Sequence, residues 1–351
     1  MGLFENRKTA NPTCPRTPAA KRLRQFPLHR KNHRVPSRPV QSAGDARVAL
    51  LLTLFAVVAF SASGCEGDGS AVPQLEVTAF NTWSMPPEGA LIPGPRSITI
   101  GPGGDTYVLD NAGRVLVFDK AGKEIRRWYM PHYSVGKPEG ICVLKDGRVA
   151  VADTHYHRVV LFKQDGTLLG MHGSHGEEPG QFIYPVAITQ DDEGNYFVGE
   201  YGGNDRVQKF SPGGKFLLEF GSFGTSPGEF QRPSGVVWRD GKVLVADAFN
   251  NVIQVFSDAG EFIGILGATP EGSGLHYPYD LGVNAAGELF VVEYGGNRVS
   301  HLSAEGRLLG RFGSVGTGTN QFSTPWGIAV DSEGRVIVAD TGNRRIVELK
   351  L

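Results

Sequence analysis

Pro325-Trp326-Gly327-Ile328-Ala329-Val330-Asp331, the turn Ser332-Glu333-Gly334, and Val338-Ala339-Asp340-Thr341-Gly342-Asn343-Arg344-Arg345-Ile346 form the clearest copy of a unit that recurs along the 351-residue chain. Each copy opens with a proline before an apolar run, meets an acidic residue about fifteen positions on, and then, in most copies, an arginine about five further. The opening prolines are Pro95, Pro138, Pro185, Pro233, Pro278 and Pro325, separated by 43, 47, 48, 45 and 47 residues. That period suits four-stranded blades of a β-propeller.

Two turn signals per copy agree. Lys145-Asp146-Gly147, Asp192-Glu193-Gly194, Arg239-Asp240-Gly241, Ala285-Ala286-Gly287 and Ser332-Glu333-Gly334 join a first strand to a second, because Gly and Asp tolerate the positive φ of a tight hairpin. Ala121-Gly122, Asp165-Gly166, Gly213-Gly214, Ala259-Gly260 and Glu305-Gly306 join a third to a fourth. A Gly-rich stretch such as 221–230 or 313–322 then crosses to the next proline. The last copy ends at Leu351 after three strands, which would leave an unpaired edge. The alternating segment Leu75-Glu76-Val77-Thr78-Ala79-Phe80 is expected to complete that blade from the N-terminal side, so the propeller is read as 75–351.

With these residues in view, the repeats resemble NHL repeats, and 75–351 resembles an all-β, six-bladed NHL propeller. Further copies carrying the likeness are Val151-Ala152-Asp153 to Arg158-Val159 and Glu293 to Arg298-Val299. The resemblance speaks to fold more than to function, because this ring hosts lyases, lactone hydrolases, RNA-binding modules and extracytoplasmic sensors.

The N-terminal region supplies an address. The first 47 residues hold eleven of the 35 Lys/Arg and two of the 36 Asp/Glu, and an uncharged run, 48–64, follows. A basic stretch before an apolar core reads as an export signal. Its end, Ser61-Ala62-Ser63-Gly64-Cys65, resembles a bacterial lipobox, with Ala62 where that pattern usually has Leu. We expect 1–64 to be leader, 65–74 a short tether, and Cys65 a lipidation site that anchors the protein at the cell envelope, periplasmic or outer-surface. An uncleaved anchor and plain secretion stay open, although 17 residues is short for a bilayer span.

Residues 48–351 carry 24 basic and 34 acidic side chains, so the basic face that RNA-binding rings need is missing and no nucleic-acid partner is expected. Cys14 lies in the leader, leaving Cys142 alone in the propeller, where it reads as a small buried hydrophobe. The recurrent acids Asp110, Asp153, Glu200, Asp247, Glu293 and Asp340 are read as per-blade locks for the following Arg114, Arg158, Arg206, Arg298 and Arg345, with Val252 replacing the arginine in blade four.

Positions that break the repeat point to a site. The residue after each proline is Arg96, Glu139, Val186, Ser234, Tyr279 or Trp326, and the next is Ser97, Gly140, Ala187, Gly235, Asp280 or Gly327. Beginning the innermost strands, they should face one mouth of the channel, where Arg96, Glu139, Tyr279, Asp280 and Trp326 suit a small-molecule, peptide or protein ligand. Tyr201 and Tyr294, in the near-duplicate loops Glu200-Tyr201-Gly202-Gly203-Asn204 and Glu293-Tyr294-Gly295-Gly296-Asn297, are expected as ligand contacts on flexible loops of that face. The histidines His132, His155, His157, His172, His175 and His276 read as solvated loop residues. Peptidylglycine amidating lyases, which are NHL propellers, carry zinc histidines after the blade proline, and none of the six such positions is His here. Resemblance to gluconolactonase and regucalcin propellers supplies the alternative: a lactonase or esterase holding one divalent cation, calcium or zinc, through Glu139 and Asp280, with Asn204 or Asn297 as a third ligand. The residues favour an exported binding or scaffold module without a cofactor over that enzyme.

Overall fold

The computed structural model describes residues 73–269 and 272–351. The expected leader 1–64, Cys65 and nearly all of the tether lie outside the described residues. Among the described residues no helix is long and apolar enough to cross a membrane.

Six four-stranded antiparallel sheets follow one another around a ring. In blade one the strands are Pro95–Ile100, Thr106–Asp110, Arg114–Phe118 and Glu124–Tyr129, running from the channel outward. The other innermost strands are Gly140–Val143, Tyr184–Gln190, Pro233–Arg239, Pro278–Val283 and Gly327–Val330, and each touches its neighbours on both sides, closing the ring between blades six and one. The second strands are buried end to end in four blades, as in Val149–Asp153 and Leu289–Glu293, and at all but one terminal residue in blades three and four, because adjacent blades cover both of their faces.

Close approach of the innermost strands is met by glycine in alternate blades. A Cβ on Gly140 would lie 2.4 Å from the Val186 carbonyl oxygen, one on Gly235 2.8 Å from Cα of Asp280, and one on Gly327 2.9 Å from the Arg96 carbonyl oxygen. The larger residues Ala187, Asp280 and Ser97 thus each sit against a glycine of the preceding blade.

The N-terminal segment completes blade six. Its strand is Ala79–Ser84, with Ala79 opposite Lys350 and Ser84 opposite Arg345, four residues later than the expected 75–80. Aromatic anchoring explains the register: Phe80 packs on Phe312 of blade five and Trp83 on Phe118 of blade one, so the strand is held from both sides. Upstream, the Leu75 N–H donates to the Arg311 carbonyl and the Arg311 N–H to the Pro73 carbonyl, laying the start of the segment along the outer edge of blade five.

The recurrent acids act as locks. Asp110, Asp153, Glu200, Asp247, Glu293 and Asp340 are all fully buried at the ends of the second strands. The Nε of Arg114, Arg158, Arg206, Arg298 and Arg345 donates to the carboxylate of its own blade over 2.7–2.9 Å. Where Val252 replaces the arginine, Asn250 Nδ2 and Gln254 Nε2 donate to Asp247 instead, at 2.7 and 2.9 Å. Without a guanidinium, burial pushes the Asp247 carboxyl up to about 6. The locks also reach the crossing loops, since backbone N–H groups of Ile183, Gln231, His276 and Ser323, each two residues before a blade proline, donate to Glu200, Asp247, Glu293 and Asp340.

Arg114 is the most enclosed lock cation, donating to Asp110, to Glu88 and to the carbonyls of Pro86 and Pro87. Arg114→Met strands a buried carboxylate and is expected to cost about 3–5 kcal/mol. Adding Asp110→Asn should recover about 1 kcal/mol or more of that loss. Urea unfolding of the single and double variants measures both; strictly additive losses would refute the lock.

Candidate functional site

A bulge beside the proline aims the site residues. The pairing register shifts between Pro95 and Ser97, Pro185 and Ala187, Pro233 and Gly235, and Pro278 and Asp280, so Arg96, Val186, Ser234 and Tyr279 each stand out of the ladder. Together with Glu139 and Trp326 they line a cavity of about 270 Å³ at the channel, walled below by the six innermost strands.

At its mouth lies a connected polar and aromatic cluster. Arg96 Nη1 is 3.3 Å from Glu139 Oε1, its Nε donates to Asn111 Oδ1 at 2.6 Å, and its guanidinium stacks 4.4 Å from the Trp326 ring centroid. Tyr279 also stacks on Trp326, 5.0 Å between centroids, and its hydroxyl donates to Glu139 Oε2 at 3.3 Å. Arg232 Nη2 donates to that same hydroxyl oxygen at 2.8 Å and lies 3.6 Å from Glu139 Oε2. Burial, and then the Glu139 carboxylate, raise the Tyr279 phenol above its ordinary value, so it stays a neutral donor. Burial works against the charge of Arg232, yet the Tyr279 and Tyr201 hydroxyls and Glu139 hold its pKa above the usual range.

Tyr201 and Tyr294 join this cluster instead of presenting exposed rings on mobile loops. Tyr201 ends the strand Tyr196–Tyr201, is half-buried, and lies 4.1 Å under the Arg232 guanidinium and 5.2 Å from Tyr184. Tyr294, also half-buried, is 5.3 Å from Tyr277 and 5.8 Å from Tyr279. The glycines after each tyrosine shape the turn, and the rings fold inward because burying aromatic area outweighs leaving it in water.

Asp280, which also lines the cavity, is held by backbone donors. Its Oδ1 accepts from the Leu281 N–H at 2.9 Å and its Oδ2 from the Ile328 N–H at 3.1 Å, bracing blade five against blade six. Glu139 is likewise engaged, by two guanidiniums and a phenol. Among the described residues no group of three His, Cys, Asp or Glu side chains is placed to hold a metal ion. Asn204 and Asn297 are turn residues, and Asn297 Oδ1 accepts the Thr324 N–H at 2.8 Å. Glu139 and Asp280 both line the cavity, each engaged by donors of the protein itself.

The histidines divide. His132, His157, His175 and His276 are loop or turn residues and His155 lies in the short 3-10 helix Thr154–Tyr156, but His172 ends the strand Leu168–His172, hydrogen-bonds the Tyr196 hydroxyl at 2.6 Å, and is pushed down to about 4, first by burial. Cys142 lines the channel wall, and burial pushes its thiol up to about 12, so it is inert.

Sequence reasoning missed Arg232 and Tyr277, which immediately precede blade prolines. Both take left-handed backbone conformations, φ 64° and 55°, as does Thr324 before Pro325. Their N–H groups are received by side chains of the preceding blade: Asp205 for Arg232, Asn251 for Tyr277 and Asn297 for Thr324. Asp and Asn at matching places in three blades were the available signal.

Asp280 keeps a little surface toward the channel but is ringed by protein, and that burial pushes its carboxyl from 3.8 up to about 7 against its two N–H donors. The folded protein therefore holds this proton more tightly than the unfolded chain, a contribution present below pH 4 and lost as pH rises toward 7. Asp280→Asn removes the titration. Relative to wild type, the variant should gain up to roughly 4 kcal/mol between pH 4 and 8, after about 1 kcal/mol lost because an amide offers only one acceptor for two N–H groups. Denaturant unfolding at several pH values checks this; a pH-independent difference would refute it.

The comparisons with known proteins agree with this architecture. The sequence model described as NHL repeat matches residues 136–162 and 322–349. Human NHL repeat-containing protein 3 is 35% identical over 108 residues, covering 28% of this chain and 31% of that protein. Peptidyl-glycine alpha-amidating monooxygenase A of Xenopus laevis is 30% identical over 166 residues, 42% of this chain and 17% of that protein. The matched part thus spans a third or less of these curated relatives. Among solved structures, virginiamycin B lyase from Staphylococcus aureus superimposes with a TM-score of 0.57 at 16% identity, over 78% of this chain and 99% of that one. A gluconolactonase from Xanthomonas campestris gives 0.56 at 13% identity, over 74% and 86%. At such identities the likeness is one of fold. Six sheets of four strands, with the repeat matches falling in the second and sixth, make this chain a six-bladed β-propeller carrying NHL repeats.

Proposed function

We propose that this propeller is a binding module, exported and tethered at the cell envelope through Cys65, that takes a ligand at the channel mouth. The observation that carries this reading is the convergence of Arg96, Glu139, Tyr279 and Trp326 on the cavity, with Arg232 bonded to them from behind, so that five blades contribute to one cluster. A residue that serves only to build a blade recurs in each blade, whereas these side chains differ at equivalent positions and meet at one place. Aromatic walls with a few fixed polar groups are what ligand sites need. The hydrolase reading has no comparable support, because the carboxylates it would use are engaged by guanidiniums and backbone N–H groups.

Ligand-observed NMR with a fragment library tests the site. Trp326→Ala should weaken the majority of hits about tenfold or more, consistent with loss of a buried aromatic anchor. Phe223→Ala, at a 60%-exposed ring in the crossing loop between blades three and four, should leave them unchanged. Hits insensitive to Trp326→Ala would overturn the mouth as the site. For the tether, Cys65→Ser should abolish radiolabelled palmitate incorporation and release the protein from the membrane fraction; persistent labelling would overturn the assignment of Cys65.

A further inference from the structure

The charge balance at the mouth does not close. Two guanidiniums, from Arg96 and Arg232, face the single carboxylate of Glu139 at 3.3 and 3.6 Å, with side chains 16%, 18% and 5% exposed. The neighbouring acids are occupied elsewhere. Asp205 accepts the backbone N–H groups of Gly202, Gly203 and Arg232, and Asp280 accepts those of Leu281 and Ile328. Neither makes an ion pair with Arg96 or Arg232, so the two guanidiniums share one carboxylate in a half-desolvated, aromatic-walled site, where an incompletely paired charge is costly.

Arg232 bears most of that cost. Its backbone is left-handed, its guanidinium sits 4.1 Å from the Tyr201 ring centroid and 5.5 Å from that of Tyr279, and its Nε is buried without a hydrogen-bond partner among the described residues. A buried donor kept unpaired in a strained residue calls for a group that completes it when bound.

We propose that the mouth binds an organic carboxylate on an aromatic body, with Arg96 and Arg232 as its counter-ions and Glu139 as the internal strut that spaces the two guanidiniums. The inference rests on the binding-module reading and names the class of ligand that this reading leaves open. A carboxylate supplies a second anionic partner for the two guanidiniums and can accept from a guanidinium in a fixed plane. Its aromatic body lies against the wall formed by Trp326, Tyr279 and Tyr294, of which Trp326 and Tyr279 stack and Tyr294 is tilted to both. A cationic ligand would deepen the excess, and a neutral one would leave it in place.

Calorimetric titration of the purified protein with indole-3-acetate against indole-3-acetamide, and with acetyl-glycyl-phenylalanine against its carboxamide, tests the proposal at low and high salt. Each acid should bind about tenfold or more tighter than its amide, and the gap should narrow as salt rises. Whichever acid binds more tightly identifies a small aromatic acid or a peptide C-terminus as the source. Arg96→Gln and Arg232→Gln should each weaken acid binding about tenfold more than amide binding. The salt response of wild type carries the test if the Arg232 variant does not fold. Acid and amide binding equally, at either salt, overturns the inference while leaving the module intact. So does an absence of acid binding in a protein whose Trp326-dependent fragments still bind. An acid preference that both arginine variants retain overturns the assignment to this site, and a protein that binds neither these probes nor any fragment overturns the module itself.

Discussion

A carboxylate buried at the end of each second strand sets the geometry on which the mouth depends. The acid takes a guanidinium or amide from the following strand and, in blades three to six, an N–H from two residues before the blade proline. It thereby fixes where the crossing loop lands. The proline then stands at or beside the start of the innermost strand, in four blades a bulge tips the next side chain out of the ladder, and in all six that side chain reaches the cavity. Arg206 and Arg345 extend the same hold by donating to crossing-loop carbonyls at Glu177, Gln181, Gly318 and Gln321. Rigidity at the mouth is therefore inherited from interactions that never touch it.

This division of labour separates what repeats from what differs. Lock residues recur because each blade needs the same turn, while the position after each proline has no part in the lock and can hold arginine, glutamate, tyrosine or tryptophan. Five aromatic rings and two guanidiniums gather there through cation–π and stacking contacts that are each modest but jointly order the rim. Glu139 touches both guanidiniums and the Tyr279 hydroxyl, so it couples blades one, two, four and five through a single side chain.

Much of this was legible in the chain itself, for physical reasons. Proline spacing, Gly-containing hairpin turns and the acid–arginine interval are local signals, and they located the blades, the locks and the channel-facing Arg96, Glu139, Tyr279 and Trp326. The register of the closing strand was not local. Both 75–80 and 79–84 alternate, and the choice depends on Phe80 and Trp83 finding Phe312 and Phe118 in other blades. Arg232 and Tyr277 were hidden because a left-handed residue before proline is held by a side chain contributed from a preceding blade, which spacing along the chain does not reveal. Tyr201 and Tyr294 carried a misleading cue, since adjacent glycines suggested mobility where they permit the rings to turn inward.

The glycines at the seams between innermost strands carry a further consequence. Gly140, Gly235 and Gly327 each receive the larger residue of the next blade, so small and large alternate around the ring. An alternation of this kind closes on itself only for an even number of blades. Loss or gain of one blade would set glycine against glycine, leaving a gap, or two side chains against each other in space that holds one. The ring behaves as three pairs, and changes in its size by recombination should survive only in steps of two blades.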